Sequence, residues 1–410
     1  MADHTTGKVP RIRFKAYRET WADEKIGDVL AEKRRPIVLE DDQRYELITV
    51  KRRNEGVVSR GHLLGRDILV KNYAQLKEGD FVISKRQVVH GATGIVPPSL
   101  DGAIVSNEYL TAVDSEKLLA EFLTIVASLP AMRRKFFLSS YGVDIEKFFF
   151  DVDDWKKRFV TLPKLTEQNR IGAFFREVDL VIALHQLKHE KLTALRKAML
   201  QKIFPKSGDK TPELRFNGFS DAWSSEEMKT LGTFSKGAGF SKSDLKASGT
   251  PIVLYGRLYT DYQTAIFQVD TFVEDRKGAV KSKGNEVVVP ASGETSEDIA
   301  RASALLASGI IIGGDLNIIN PCERLDPYFL ALALSNGQPK YDLARRAQGK
   351  TVVHVRAADI SSVSISFPEL REQERIAAYF RSIDELILRH SNQIKKLQQI
   401  KLACQESMFA

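Results

Sequence analysis

The residues whose types and spacing most suggest chemistry here are His185 and His189, set i, i+4 as in a helical zinc pair. No third ligand follows at a metal-site spacing, and a polar layer in a helix seam, shared with His390, explains them better. The run GTFSKGAG (232–239) is glycine-rich but lacks the Gly-Lys-Ser/Thr ending with which a phosphate loop cradles its ligand. Asn320-Pro321-Cys322-Glu323 lacks the second proline and the aromatic of a site that holds a flipped base for methylation. No Asp with a nearby Glu-x-Lys is placed to hold a divalent cation, and the seven histidines are scattered. Cys322 and Cys404 match no metal or disulfide pattern. We therefore expect no catalytic and no metal-ligating residues.

Binding chemistry is more visible. Basic residues gather in two turn-rich regions: Lys51, Arg52, Arg53, Arg60, Lys85 and Arg86, then Arg257, Lys281, Lys283, Arg345, Arg346 and Lys350. Lys and Arg neutralise phosphates, and Arg also pairs bidentately with guanine. Tyr255, Tyr259 and Tyr262 interleave with Arg257, where they could meet sugars or bases. Any one of these is accounted for as a solvated loop charge or strand aromatic; as two sets they point to double-stranded DNA. The chain's net charge of +8 permits a polyanionic partner without requiring one. The opening MADHTTGKVP has no apolar core of a signal peptide, and no run of about 18 apolar residues could span a bilayer. A cytoplasmic protein without a membrane partner is expected.

The elements that must position these residues are written twice. PKLTEQNRIGAFFREVDL (163–180) returns as PELREQERIAAYFRSIDE (368–385), and PRIRFKAYRETW (10–21) as PELRFNGFSDAW (212–223). Each half of the 410 residues thus opens and closes alike, while the middles differ in sequence. Both middles carry β-branched alternation broken by Gly, Asn and Asp, which reads as short strands and turns. Each also has one apolar helical stretch, 116–129 and 326–334. Each is read as a mixed α+β globule of ordinary domain size.

The closing segments, Glu167 to Phe204 and Glu372 to Phe409, predict long helices: they contain no proline and a single glycine, Gly172. Apolar residues recur at a 3-4 spacing. The seam runs Ile171, Phe174, Val178, Val181, Leu192, Leu195 in the first helix and Ile376, Tyr379, Ile383, Leu386, Leu397, Ile400 in the second, 205 residues on. Such a seam argues for two antiparallel helices packed as a coiled coil. The architecture expected is α+β: mixed globules at 1–160 and 208–365, helices at 161–207 and 366–410, with internal pseudo-two-fold symmetry.

The segments LRFNGFSDAW (214–223), LYGRLYTDY (254–262), IIIGGDLNIINP (310–321), LPKLTEQNRIGAFF (162–175) and FPELREQERIAAYF (367–380) resemble the specificity subunit of type I restriction-modification enzymes, over nearly the whole chain. The resemblance implies a non-catalytic subunit whose two target recognition domains read the halves of a split, asymmetric DNA sequence. The helices would set the unread gap and dock two methyltransferase subunits. S-adenosylmethionine, ATP and Mg would belong to those subunits and to translocase-nuclease subunits, not to this chain. From the residues alone, a stand-alone sequence-specific DNA-binding regulator and a self-contained DNA methyltransferase stay open.

Overall fold

The computed structural model describes residues 9–70, 72–349 and 351–409. The chain divides into two compact units. One runs to His185 and takes in the segment from Gln393 onward; the other is Gln186–Asn392.

In the first unit, Ala22–Lys25 pairs antiparallel with Phe159–Leu162, immediately before the long helix Leu165–Ile203. The second unit repeats this pairing with Ser224–Glu227 and Ser364–Phe367, before Leu370–Met408. Ala22 faces Leu162 and Ser224 faces Phe367, so the register is also conserved between the copies. Both helices have 39 residues, about 58 Å at 1.5 Å per residue.

The apolar stretches form Ala120–Ser128 and Pro327–Leu334, whose inward residues are buried in the two main cores. The middles are the strand-rich parts. The first unit carries a four-stranded and a five-stranded sheet, the second two five-stranded sheets. In the first, Arg44–Val50 pairs with Val57–Leu64 as a hairpin, with an irregularity between Leu47 and Ile48. The extra residue is Arg60 on the partner strand, so Arg44–Val50 keeps its alternation: Tyr45 and Leu47 enter one small core, and Ile48 and Val50, on the opposite face, another.

The repeated motif residues build each unit's frame. Arg13 donates from Nε and Nη2 to Glu167 at 2.7 and 2.6 Å, and Arg215 does the same to Glu372 at 2.8 and 2.7 Å. The next residue ties the helix to the loop before the apolar helix. Gln168 donates to the Lys117 and Pro163 carbonyls and accepts from the Leu119 N–H. Gln373 donates to the Arg324 and Pro368 carbonyls and accepts from the Asp326 N–H. Both glutamines are fully buried, so an unpaired amide would be costly and each group is matched. Phe14 packs edge-on against Phe174, and Phe216 against Tyr379.

The seam differs from the sequence expectation at every second position. Ile171, Ile376 and Ile383 are buried, and Val178, Leu192 and Leu397 half-buried. Phe174 and Tyr379 instead turn toward the domain aromatics just named. Val181, Leu195, Leu386 and Ile400 are exposed. One residue later, Phe175, Ile182 and Phe380 are buried, and Arg196, Ile387 and Lys401 half-buried. Apolar residues occupy both 181 and 182, and both 386 and 387, so spacing alone does not choose between them. Ion pairs at the inward positions do. In the second unit Arg196 Nε meets Asp384 at 2.5 Å; in the first, Lys401 Nζ meets Asp179 at 2.6 Å. These are the same two repeat positions with the helices exchanged. In each unit, therefore, the first part of one long helix lies beside the last part of the other.

Candidate nucleic-acid interface

The six basic residues of the first set lie in one unit but in different states. Lys51, Arg52 and Arg53 form the tip of the hairpin, where the Lys51 N–H donates to the Gly56 carbonyl at 2.9 Å and closes the turn. Arg53 and Asn54 take φ of 59° and 58°, left-handed values in which side chains cost about 1–3 kcal/mol each. Asn54 is gripped from three sides. Its N–H donates to the Gly91 carbonyl, its Nδ2 to Thr93 Oγ1, and Arg133 Nη2 donates to its Oδ1. Arg52 is drawn sideways, to Gln87 Oε1 at 2.8 Å and the Glu146 carboxylate at 2.5 Å. Arg86 binds Glu108 at 2.7 Å, and that hydrogen bond raises its pKa above the ordinary value. Lys85 Nζ donates to the Asn107 carbonyl. Lys51, Arg53 and Arg60 are exposed, and among the described residues their side chains make no hydrogen bond or ion pair.

The second set divides differently. Arg257 has 14% of its side chain exposed and bridges Asp270 at 2.7 Å and Asp261 at 3.1 Å. Its hydrogen bond to Asp270 holds that carboxyl below the ordinary range. Tyr259 donates to the Ser292 carbonyl at 2.7 Å with the Arg301 guanidinium 5.4 Å from its ring, and burial pushes its phenol up. Tyr262 is likewise turned inward, donating to the Ala302 carbonyl. Arg257, Tyr259 and Tyr262 thus brace the domain and offer little to an outside ligand. Lys281 pairs with Asp275, Arg345 lies 5.7 Å from the Tyr341 ring centre, and Arg346 donates to the Ser362 carbonyl. Lys283 is exposed. Lys350 lies outside the described residues.

Sequence reasoning did not find an open cleft of about 600 Å³ in the second unit, lined by Lys236, Asp315, Asn317, His354 and Arg356 among others. These residues come together because the strand Gly232–Lys236 pairs with Leu316–Pro321, and no local spacing signals it. Among the described residues no cluster of His, Cys, Asp and Glu is placed to hold a metal, and no helix is long and apolar enough to cross a membrane.

Residues 221–401 match the family model for the type I restriction modification DNA specificity domain. Over that stretch the chain is similar to the specificity domain of type I restriction-modification systems. The resemblance read from the repeated motifs is borne out. A curated relative, the type I restriction enzyme MjaVIII specificity subunit of Methanocaldococcus jannaschii, is 22% identical over 249 residues. That match spans only 56% of this chain and 56% of the relative. The crystal structure of a type I restriction-modification system S subunit from M. genitalium covers 98% of this chain and 99% of its own, with a TM-score of 0.65 at 11% identity. The chain therefore shares that fold, two strand-rich domains with two long helices. The HsdS subunit from Thermoanaerobacter tengcongensis aligns over 95% of this chain and 96% of its own, at a TM-score of 0.44 and 18% identity.

Proposed function

We propose that this chain is a specificity subunit that reads a split, asymmetric DNA target, one half with each recognition domain, and scaffolds two methyltransferase subunits. It performs no catalysis itself. S-adenosylmethionine, ATP and Mg belong to the methyltransferase and translocase-nuclease subunits that assemble with it. The observation that carries this reading is one frame built twice around two unlike strand-rich middles. The identical frame supplies two equivalent docking places for two copies of one partner. The unlike middles supply two different readers, so the target is not a palindrome. Apolar side chains that no packing claims support docking on the helices: Leu180, Val181 and Leu184 in the first unit, Leu386 and Leu388 in the second. The exposed Lys51, Arg53, Arg60 and Lys283 support contact with DNA.

The test is methylation mapping. The chain is expressed with its methyltransferase subunit in a methylation-free host and the modified bases are sequenced. A split asymmetric motif that disappears when this chain is omitted is expected. Methylation that persists unchanged without it would defeat the reading.

A further inference from the structure

Among the described residues, Arg53 and Asn54 are the only ones bearing side chains that take positive φ. Asn accepts that region because its short amide bonds locally; Arg has no such compensation, and glycine would make the same turn unstrained. The turn is nonetheless fixed, through the three bonds on Asn54 and the bond between the Lys51 N–H and the Gly56 carbonyl. Strain that the surroundings enforce instead of relieving marks a side chain held for a task. The neighbouring cations are committed to the fold: Arg52 to Gln87 and Glu146, Arg86 to Glu108, Lys85 to Asn107. Arg53 is exposed at the hairpin tip with its guanidinium uncommitted. A phosphate contact needs only a charge on a flexible stem, whereas a bidentate base contact needs the fork held in one direction.

Resting on the reading of this domain as a DNA reader, we propose that Arg53 is a base-reading side chain of the first recognition domain and that it takes guanine, presenting its fork to O6 and N7 in the major groove. Lys51 and Arg60, uncommitted and nearby in sequence, fit the accompanying phosphates.

The test compares Arg53→Gly and Arg53→Lys in the full chain, co-expressed with the methyltransferase subunit, by methylation mapping and by melting the purified complexes. Glycine relieves the backbone, so that variant is expected to melt no lower than wild type. Lysine keeps the charge but loses the fork. Both are expected to relax one guanine position in one half of the target by on the order of tenfold to a hundredfold, leaving the other half unchanged. If the lysine variant keeps the wild-type motif while the glycine variant weakens all targets alike, Arg53 touches phosphate and the assignment is overturned. A motif unchanged in both variants, or a glycine variant that melts lower, overturns it too. If the wild-type chain imposes no split motif, the domain is not a reader, and the assignment falls with that broader reading.

Discussion

Replacing Glu372 by Gln should cost the second unit about 3 kcal/mol. The magnitude follows from the geometry. The Glu372 side chain is 1% exposed and that of Arg215 15%, and two guanidinium N–H groups reach the two carboxylate oxygens at 2.8 and 2.7 Å. The amide of Gln removes one acceptor, turns a donor toward the guanidinium, and leaves a nearly buried cation without its counter-charge. Removing one member of a buried pair costs about 3–5 kcal/mol, and the partial exposure of Arg215 takes the estimate toward the lower end. For a unit of this size about 3 kcal/mol corresponds to a melting shift of about 6–12 °C. Glu167→Gln, facing Arg13 in the first unit, should cost a similar amount. Hydrogen exchange read by mass spectrometry distinguishes the two: each variant should lose protection in its own unit. The double variant Arg215→Met with Glu372→Leu should cost less than the sum of the single changes, since no unpaired charge remains. A loss under about 1 kcal/mol for both glutamine variants, or lost protection in the opposite unit, would refute the claim that these pairs frame the units separately.

Asp179→Asn and Asp384→Asn alter one repeat position but should differ in cost. Asp384 also accepts from Tyr328 Oη at 2.7 Å, and Arg196 bonds to Thr264 as well, so denaturant titration should show about 1–3 kcal/mol. Asp179 is about half exposed opposite Lys401 alone and should give under about 1 kcal/mol. Asp326 caps Pro327–Leu334 by accepting from the Phe329 N–H, yet burial lifts its pKa. A raised carboxyl contributes stability that is present below its unfolded pKa, about 3.9, and lost as pH rises through the folded value. Asn keeps the cap without the charge, so Asp326→Asn should melt at or above wild type at pH 7 and flatten this part of the acid profile. Phe409→Ala should destabilise the unit containing Trp21 and Phe122 by about 2–3 kcal/mol, and Phe204→Ala the unit containing Trp223 and Phe329. Exchange protection lost in the opposite assignment would show that each helix end serves its own repeat.

Much of the frame was legible because its residues act at short range or in register. The Pro-x-Leu-x-Glu-Gln-x-Arg-Ile openings mark both long helices, and the aligned Arg13 and Arg215 anticipate partners that meet Glu167 and Glu372. The interface was only partly legible. Composition finds Arg52, Arg53 and Arg257 equally well, but whether a guanidinium faces solvent depends on Glu146 and Asp270 arriving from elsewhere in the chain. Tyr259 looked like a ligand contact because a strand aromatic and a brace have the same local pattern.

By itself, the sequence determined that the chain is a duplicated α+β protein with two long helices and two unlike middles, since repeats, helix periodicity and strand alternation are carried locally. Only the tertiary structure decided which parts join. Trp21 packs on Phe409 and Trp223 on Phe204, so each folded unit takes the end of a long helix from the other sequence repeat. A repeated sequence offers two equivalent surfaces for every contact. Which copy fills each one is settled by where the chain's long helices run, information that no residue carries locally.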